Sequence, residues 1–412
     1  MSSKVSLTKR IVKGKIYYYL DKNFKNANGK WKKASVYVGV EKPDKKKFER
    51  KRRELEQRIF LEEKNLEMVD TYKHGRKRLP RICLVFCGGT IAMKRNEHGA
   101  LEPTKKVEDL TKISPEIKTI VDLDSVFVTN IDSTNMQPSH WSKIAKTIYD
   151  NYDKYDGFVI THGTDTMAYT ASALSFALQN LNKPIVLTGS QMPPGDLATD
   201  AHVNLINACR VAAMNLRGVI ICFGTRILQG NRSKKWSEVS QDAFVSHLTP
   251  DIGEIATTIQ IAKDAPKKLP NPKKLLLKNK FEEEVLQITL LPGMNPDFIE
   301  RVIETNHLKG IILESFGAGN VPTKENSFIP LIKKATKIGI PVIVTTQCAG
   351  GTSSHMLTYE VGYEAIKAGA IPARDMTAEC AATKLMWVLA QTQNIKEIKK
   401  KIIHNYTGEL RT

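Results

Sequence analysis

From Arg81 onward, short apolar runs alternate with segments long enough to be helices. The runs are ICLVF (Ile82–Phe86), FVIT (Phe158–Thr161), IVLT (Ile185–Thr188), GVIICF (Gly218–Phe223), GIILES (Gly310–Ser315) and PVIVTT (Pro341–Thr346). None alternates with polar residues, which predicts strands covered on both faces. Strands separated by crossover-length segments predict α/β units around a parallel sheet. Before position 81 the pattern differs. KIYYYL (Lys15–Leu20) and ASVYVGV (Ala34–Val40) predict two strands, and Asn28–Gly29 between them is a strong turn signal. A charged helix is predicted over about Lys45–Met68, with Phe48, Leu55, Ile59, Phe60 and Leu66 as a thin apolar stripe. KHGRKRLP (Lys73–Pro80) reads as a basic linker, and the Pro- and Lys-rich Lys263–Lys280 marks a second break. The expected organisation is therefore a small α+β hairpin-plus-helix module and linker over 1–80, a large α/β domain over 81–270 and a smaller α/β domain over 281–412. No internal repeat is visible.

Composition fits this picture. The chain has 412 residues, 41% hydrophobic and 25% charged, enough for two or three domains with sizeable cores. No apolar run approaches the ~20 residues of a membrane helix, so no membrane partner is expected. The basic N-terminus lacks an apolar stretch behind it, which argues against a secretory signal and for a cytoplasmic placement. The cysteines (Cys83, Cys87, Cys209, Cys222, Cys348, Cys380) form no CxxC pair and no zinc-site spacing with histidine. Cys83 and Cys87 on one strand would stand about 13 Å apart, too far for a disulfide. All six are expected as reduced, buried thiols.

The formal charge of +19 is uneven, because residues 1–80 hold 24 Lys+Arg against 10 Asp+Glu. Such a segment suits contact with nucleic acid or another polyanion. The competing reading is a solubilising surface.

Ligands of open α/β sheets bind beyond the carboxyl ends of the strands, so the polar residues there are the candidates for chemistry. They are CGGTIA (Cys87–Ala92), TNIDSTNMQP (Thr129–Pro138), THGTDTM (Thr161–Met167), TGSQMP (Thr188–Pro193) and GNRSKK (Gly230–Lys235). Gly88-Gly89 lets the backbone turn tightly and puts the Thr90 hydroxyl at a strand tip. Thr164 and Asp165 put a hydroxyl beside a carboxylate; the plain alternative is that one of them caps a helix Met167–Asn180. His162 reads as structural, since no positioned serine or cysteine partner is evident. Lys235 shares a run with Arg232 and Lys234, which is ordinarily a solvated face. A lysine stripped of solvent beside another cation would instead lose its proton readily and could act as a base.

Taken in order, GGTIA, NIDSTNM, THGTDTM, LTGSQMP and GNRSKK, followed by FGAGN (Phe316–Asn320) and DMTAECAATKL (Asp375–Leu385), resemble the L-asparaginase family, and its cytoplasmic type I branch more than its secreted one. The resemblance runs from about Arg81 to the C-terminus. It implies a two-lobed fold and hydrolysis of L-asparagine to L-aspartate and ammonia, as in asparagine catabolism, without cofactor or metal. It implies Thr90 as nucleophile and a Thr164–Lys235–Asp165 group that assists the attack. Ser133 and Thr134 would bind the substrate carboxylate and Asp165 its ammonium. Asn320 would come from a neighbouring subunit, so a homodimer or homotetramer is expected. Fixed donors for the developing oxyanion and a base for a weak hydroxyl nucleophile are what this chemistry requires.

One departure stands out. The family's tyrosine on the loop after the first threonine would fall near Ala100, yet no tyrosine lies between Tyr72 and Tyr149. His98 or a lysine is the candidate substitute. Two rival readings follow. One is the asparaginase-like, ammonia-releasing component of a tRNA-dependent glutamyl amidotransferase. The other is a non-catalytic nucleic-acid-binding protein on a degenerate core.

Overall fold

The computed structural model describes residues 4–69, 78–95, 98, 101–103, 114–305 and 307–411. The chain divides into two compact units, Met1–Asp70 with Ile252–Ala265, and Thr71–Asp251 with Pro266–Thr412.

The first unit begins with an antiparallel sheet of three strands, β1 (Ser6–Val12), β2 (Lys15–Lys25) and β3 (Trp31–Gly39). The sequence pattern predicts two. It conceals β1 because SLTKRIV has no buried residue to set an apolar pattern. Gly29 takes the positive φ of 72° that the Asn-Gly turn predicts. Leu20, Phe24, Ala34, Val36 and Val38 face helix α1 (Lys45–Glu63) and pack with its Leu55 and Ile59. The predicted stripe is narrower in fact, since Phe60 is 44% exposed.

Helix α1 also ends earlier than predicted. Asn65 turns the chain at a φ of 56°, and Leu66–Val69 forms strand β4. β4 pairs antiparallel with Ile259–Ala262, which pairs with Gly253–Ile255. Lys263 Nζ reaches Glu62 at 2.9 Å, and the Lys263 N–H donates to the Asn65 carbonyl at 3.0 Å. This hairpin, distant in sequence, is thus stitched to the N-terminal module.

In the second unit strand β5 (Arg81–Gly88) lies beside the edge strand of a sheet. The order is Arg226–Gln229, Gly218–Phe223, Pro184–Thr188, Gly157–Thr161, β5, Asp122–Ile131. Of these six strands the last five are mutually parallel, and Arg226–Gln229 runs antiparallel to Gly218–Phe223. Gly157–Thr161 and Pro184–Thr188 are buried at every residue, as their unbroken apolar runs predict. Edge strand Asp122–Ile131 has no fully buried residue, so with its charged start it shows no hydrophobicity pattern. A second, all-parallel sheet holds Val285–Thr289, Gly310–Ser315, Val342–Thr346 and Ile371–Pro372 in that order.

Helix Met167–Ala177 stops short of Asn180, because Leu178–Gln179 pairs antiparallel with Leu276–Leu277. All six cysteines are free, but Cys348 is exposed rather than buried; it follows a strand end at which the chain returns to solvent. No helix among the described residues is long and apolar enough to cross a membrane.

Candidate active site

The loops after the parallel strands sit side by side because their strands are neighbours. Beyond β5 the chain turns through Gly88 and Gly89 at φ of 93° and 86°. A Cβ on Gly89 would lie 2.4 Å from the Gly163 nitrogen, and one on Gly163 would lie 2.6 Å from Ser133 Oγ. Three separate loops therefore touch with almost no side chain between them. That contact sets Thr90, Ser133 and Thr164 each at or next to a junction residue. Thr90 is half-buried and opens a 3₁₀ turn, Thr90–Ala92.

Ser133 is buried and Thr134 exposed. Asp132 fixes this turn, accepting the Thr134 N–H at 2.8 Å and its hydroxyl at 2.7 Å. These bonds hold the Asp132 carboxyl below its ordinary pKa, the backbone N–H contributing most. The Thr166 hydroxyl donates to the Ser133 carbonyl at 2.7 Å and ties this turn to the next loop. Thr166, not Thr164 or Asp165, stands at the helix N-cap, and its side chain makes no capping bond there. The plain capping role for Thr164 and Asp165 is thereby removed.

Lys235 Nζ donates to Thr164 Oγ1 at 2.8 Å and to Asp165 Oδ1 at 2.7 Å. The lysine side chain is 21% exposed and the aspartate 52%. Lys235 ends the short strand Ser233–Lys235, paired antiparallel with Phe244–Ser246. The basic run before it is not a solvated face. Arg232 is 1% exposed and donates to Asp375 Oδ2 and to the carbonyls of Asp375 and Glu409 at 2.7–2.8 Å. Asn231 Nδ2 bonds Thr407 Oγ1 at 2.8 Å. The C-terminal segment thus anchors the backbone that presents Lys235. Sequence reasoning does not find these anchors, although an arginine two residues past a glycine turn is visible in it.

Asp200 holds the loop after Pro184–Thr188 by accepting the N–H groups of Gln191 and Met192 at 3.0 Å. His162 is fully buried. Trp141 Nε1–H donates to Thr170 Oγ1 at 3.0 Å, leaving the Thr170 hydroxyl to donate to His162 Nε2 at 2.8 Å. Nδ1 then carries the proton and donates to the Gly163 carbonyl at 2.6 Å. Burial lowers the His162 pKa to about 4. The histidine is a neutral strut beneath Gly163, with both nitrogens occupied, as the structural reading expects.

Asn320 pairs with Phe316 in a tight backbone bridge, and its side-chain oxygen is buried with no hydrogen-bond partner among the described residues. Its described contacts do not join it to Thr164 or Lys235. Ala100 lies outside the described residues, and His98 stands in a turn. Among the described residues no cluster of three His, Cys, Asp or Glu side chains is placed to hold a metal.

Residues 81–267 match the asparaginase N-terminal domain, and residues 284–401 match the glutaminase/asparaginase C-terminal domain. L-asparaginase 1 of Escherichia coli is 36% identical over 334 residues, covering 80% of this chain and 97% of that protein. A glutamyl-tRNA(Gln) amidotransferase subunit of Pyrococcus abyssi is also 36% identical, over 351 residues, covering 82% of this chain and 78% of that protein. The thermostable L-asparaginase from Thermococcus kodakarensis superposes with a TM-score of 0.75 at 33% identity, over 81% of this chain and 99% of that one. The two domain matches together span well over half of the chain, and with the shared fold they establish that it belongs to the asparaginase family.

Proposed function

We propose that the chain is an L-asparaginase, hydrolysing the side-chain amide of L-asparagine through Thr90. The observation that carries this reading is the contact of Lys235 with both Thr164 and Asp165, next to the glycine junction that bears Thr90. In this reading the Thr90 hydroxyl attacks the amide carbon. Its proton passes by way of Thr164 and Lys235, and the leaving nitrogen departs as ammonia. Water then cleaves the acyl-threonine ester, releasing L-aspartate and restoring Thr90. Backbone N–H groups at the glycine turn are suited to the developing oxyanion. Ser133, with Thr134 beside it, is assigned the substrate carboxylate, and Asp165 the ammonium.

Three further proposals belong with it. The organisation is a module over 1–80, a large domain over 81–270 and a smaller one over 281–412. Asn320 completes the site of a neighbouring copy in a homodimer or homotetramer; its buried, unpartnered oxygen supports a role outside its own loop. The placement is cytoplasmic, which six free cysteines support.

The decisive experiment is ammonia release from L-asparagine and L-glutamine by purified protein, with Thr90→Ala and Thr164→Ala beside it. Release from asparagine that both variants abolish is the expected result. A second reading, the ammonia-releasing component of a tRNA-dependent amidotransferase, is favoured by the equal identity to the Pyrococcus abyssi protein. Its mark would be silence alone, and release only when charged tRNA and the other amidotransferase components are added.

A further inference from the structure

The three-stranded sheet of the N-terminal module has one face against helix α1 and one that none of the described residues of its own unit covers. Strand alternation and register identify the uncovered face. On β2 it carries Lys15, Tyr17, Tyr19, Asp21 and Lys25, because Leu20 and Phe24 point to the core. Across the ladder Arg10 pairs with Tyr17, Tyr37 with Tyr19, and Trp31 with Lys25. Alternation with the buried Ala34, Val36 and Val38 puts Tyr37 on this side.

The chemistry of the face is uniform. The rings of Tyr17 and Tyr19 lie 6.1 Å and 5.4 Å from that of Tyr37. The Arg10 guanidinium sits 4.1 Å over Tyr19, and Lys25 Nζ 5.4 Å over Trp31. Tyr37 is 46% and Trp31 63% exposed. The one acid, Asp21, is 2% exposed and enclosed by Lys33 at 2.8 Å, Thr8 at 2.8 Å and Arg10 at 3.0 Å. Its charge is met inside the sheet, while Lys15, Lys25, Arg10 and Lys33 stay at the surface. A core-facing role does not explain exposed aromatics interleaved with cations, and a solubilising surface has no use for the rings.

We infer that this face binds single-stranded RNA. Bases stack on exposed aromatic rings, cations beside the rings take the phosphates, and phenol hydroxyls can both donate to and accept from the ribose 2′-hydroxyl. The inference stands on the N-terminal module alone and does not depend on the amidohydrolase reading.

The test is fluorescence anisotropy of the full-length protein with a labelled 20-nucleotide RNA of mixed sequence, the same strand in DNA, and the RNA duplex. The single-stranded RNA is expected to bind at least ten-fold more tightly than either competitor. Trp31→Ala and Tyr37→Ala are each expected to weaken it by roughly ten-fold, with unchanged circular dichroism and ammonia release. The log–log salt slope should be about −2, the release expected for roughly three phosphate contacts on a single strand. Equal affinity for the DNA strand or the duplex would overturn the inference. So would aromatic variants that bind like the parent, which would leave only general attraction to polyanions.

Discussion

The Lys235 ammonium is 2.8 Å from the Thr164 hydroxyl, although the two residues are 71 positions apart. The same ammonium is 2.7 Å from Asp165. A lysine buried to this degree and shared between a hydroxyl and a carboxylate is placed to move or hold a proton, which a solvated charge is not. Lys235→Met should therefore lower kcat for ammonia release by about 10²–10⁴-fold, the usual contribution of a positioned proton-transfer group. The thermal midpoint should change little, since the lysine is at a strand end. A variant within three-fold of the parent would remove Lys235 from the mechanism.

Gly89 is the hinge between β5 and Thr90. Its φ of 86° is a left-handed value, and a Cβ there would stand 2.4 Å from the backbone nitrogen of Gly163. Backbone cannot rotate aside as a long side chain can. Gly89→Ala should force the two loops apart, move Thr90 by on the order of an ångström and cost at least about 100-fold in kcat/KM. Strain of about 1–3 kcal/mol in unfolding free energy should accompany it. Steady-state kinetics with urea unfolding on the same sample checks both. An active, fully stable variant would show that the loops are not held by this junction.

The parts legible in the sequence are those whose physics is local. Unbroken apolar runs mark the parallel strands because both faces of Gly157–Thr161 and Pro184–Thr188 are covered. The candidate residues emerge from the positions after those strands. Strand β1 and the edge strand Asp122–Ile131 are hidden because exposed strands carry charge and need no apolar period. The early ends of α1 and of Met167–Ala177 are set by strand pairing with distant segments, which outweighs local helix preference. The basic run at Arg232 misleads for a related reason. Its partner Asp375 lies 143 positions on, and only the fold shows that the arginine is buried.

Lys384 and Glu409 form an ion pair of 2.6 Å with both side chains fully buried. Burial alone would raise the glutamate's pKa. Lys384 and the N–H groups of Tyr406 and Thr407 outweigh it and keep the carboxyl below its ordinary range. Removing one partner strands the other charge, so Glu409→Ala should cost about 3–5 kcal/mol. The double variant Lys384→Met, Glu409→Met should recover part of that loss, because no buried charge is left unpaired, while the Tyr406 and Thr407 N–H groups still lose their acceptor. Urea midpoints of the three proteins give the comparison. A single variant as stable as the parent would mean that the C-terminal segment does not hold the core.

His162 gives the fold a defined acid sensitivity. In the unfolded chain it titrates near 6.5, whereas in the fold burial lowers it to about 4. The folded state therefore binds fewer protons between these values, and its stability falls as pH drops through that window. Above pH 6.5 the contribution is complete, and below about 4 no more is lost. The total is on the order of 3 kcal/mol, at about 1.36 kcal/mol per pKa unit. The reason is burial: the imidazole is fully enclosed, and a charge there would be taken out of water. Unfolding free energies of the parent and His162→Asn, measured from pH 7.5 to 3.5, should differ by a curve that changes only between 6.5 and 4. A flat difference across that range would show that His162 is reached by solvent, and the strut beneath Gly163 would lose its standing.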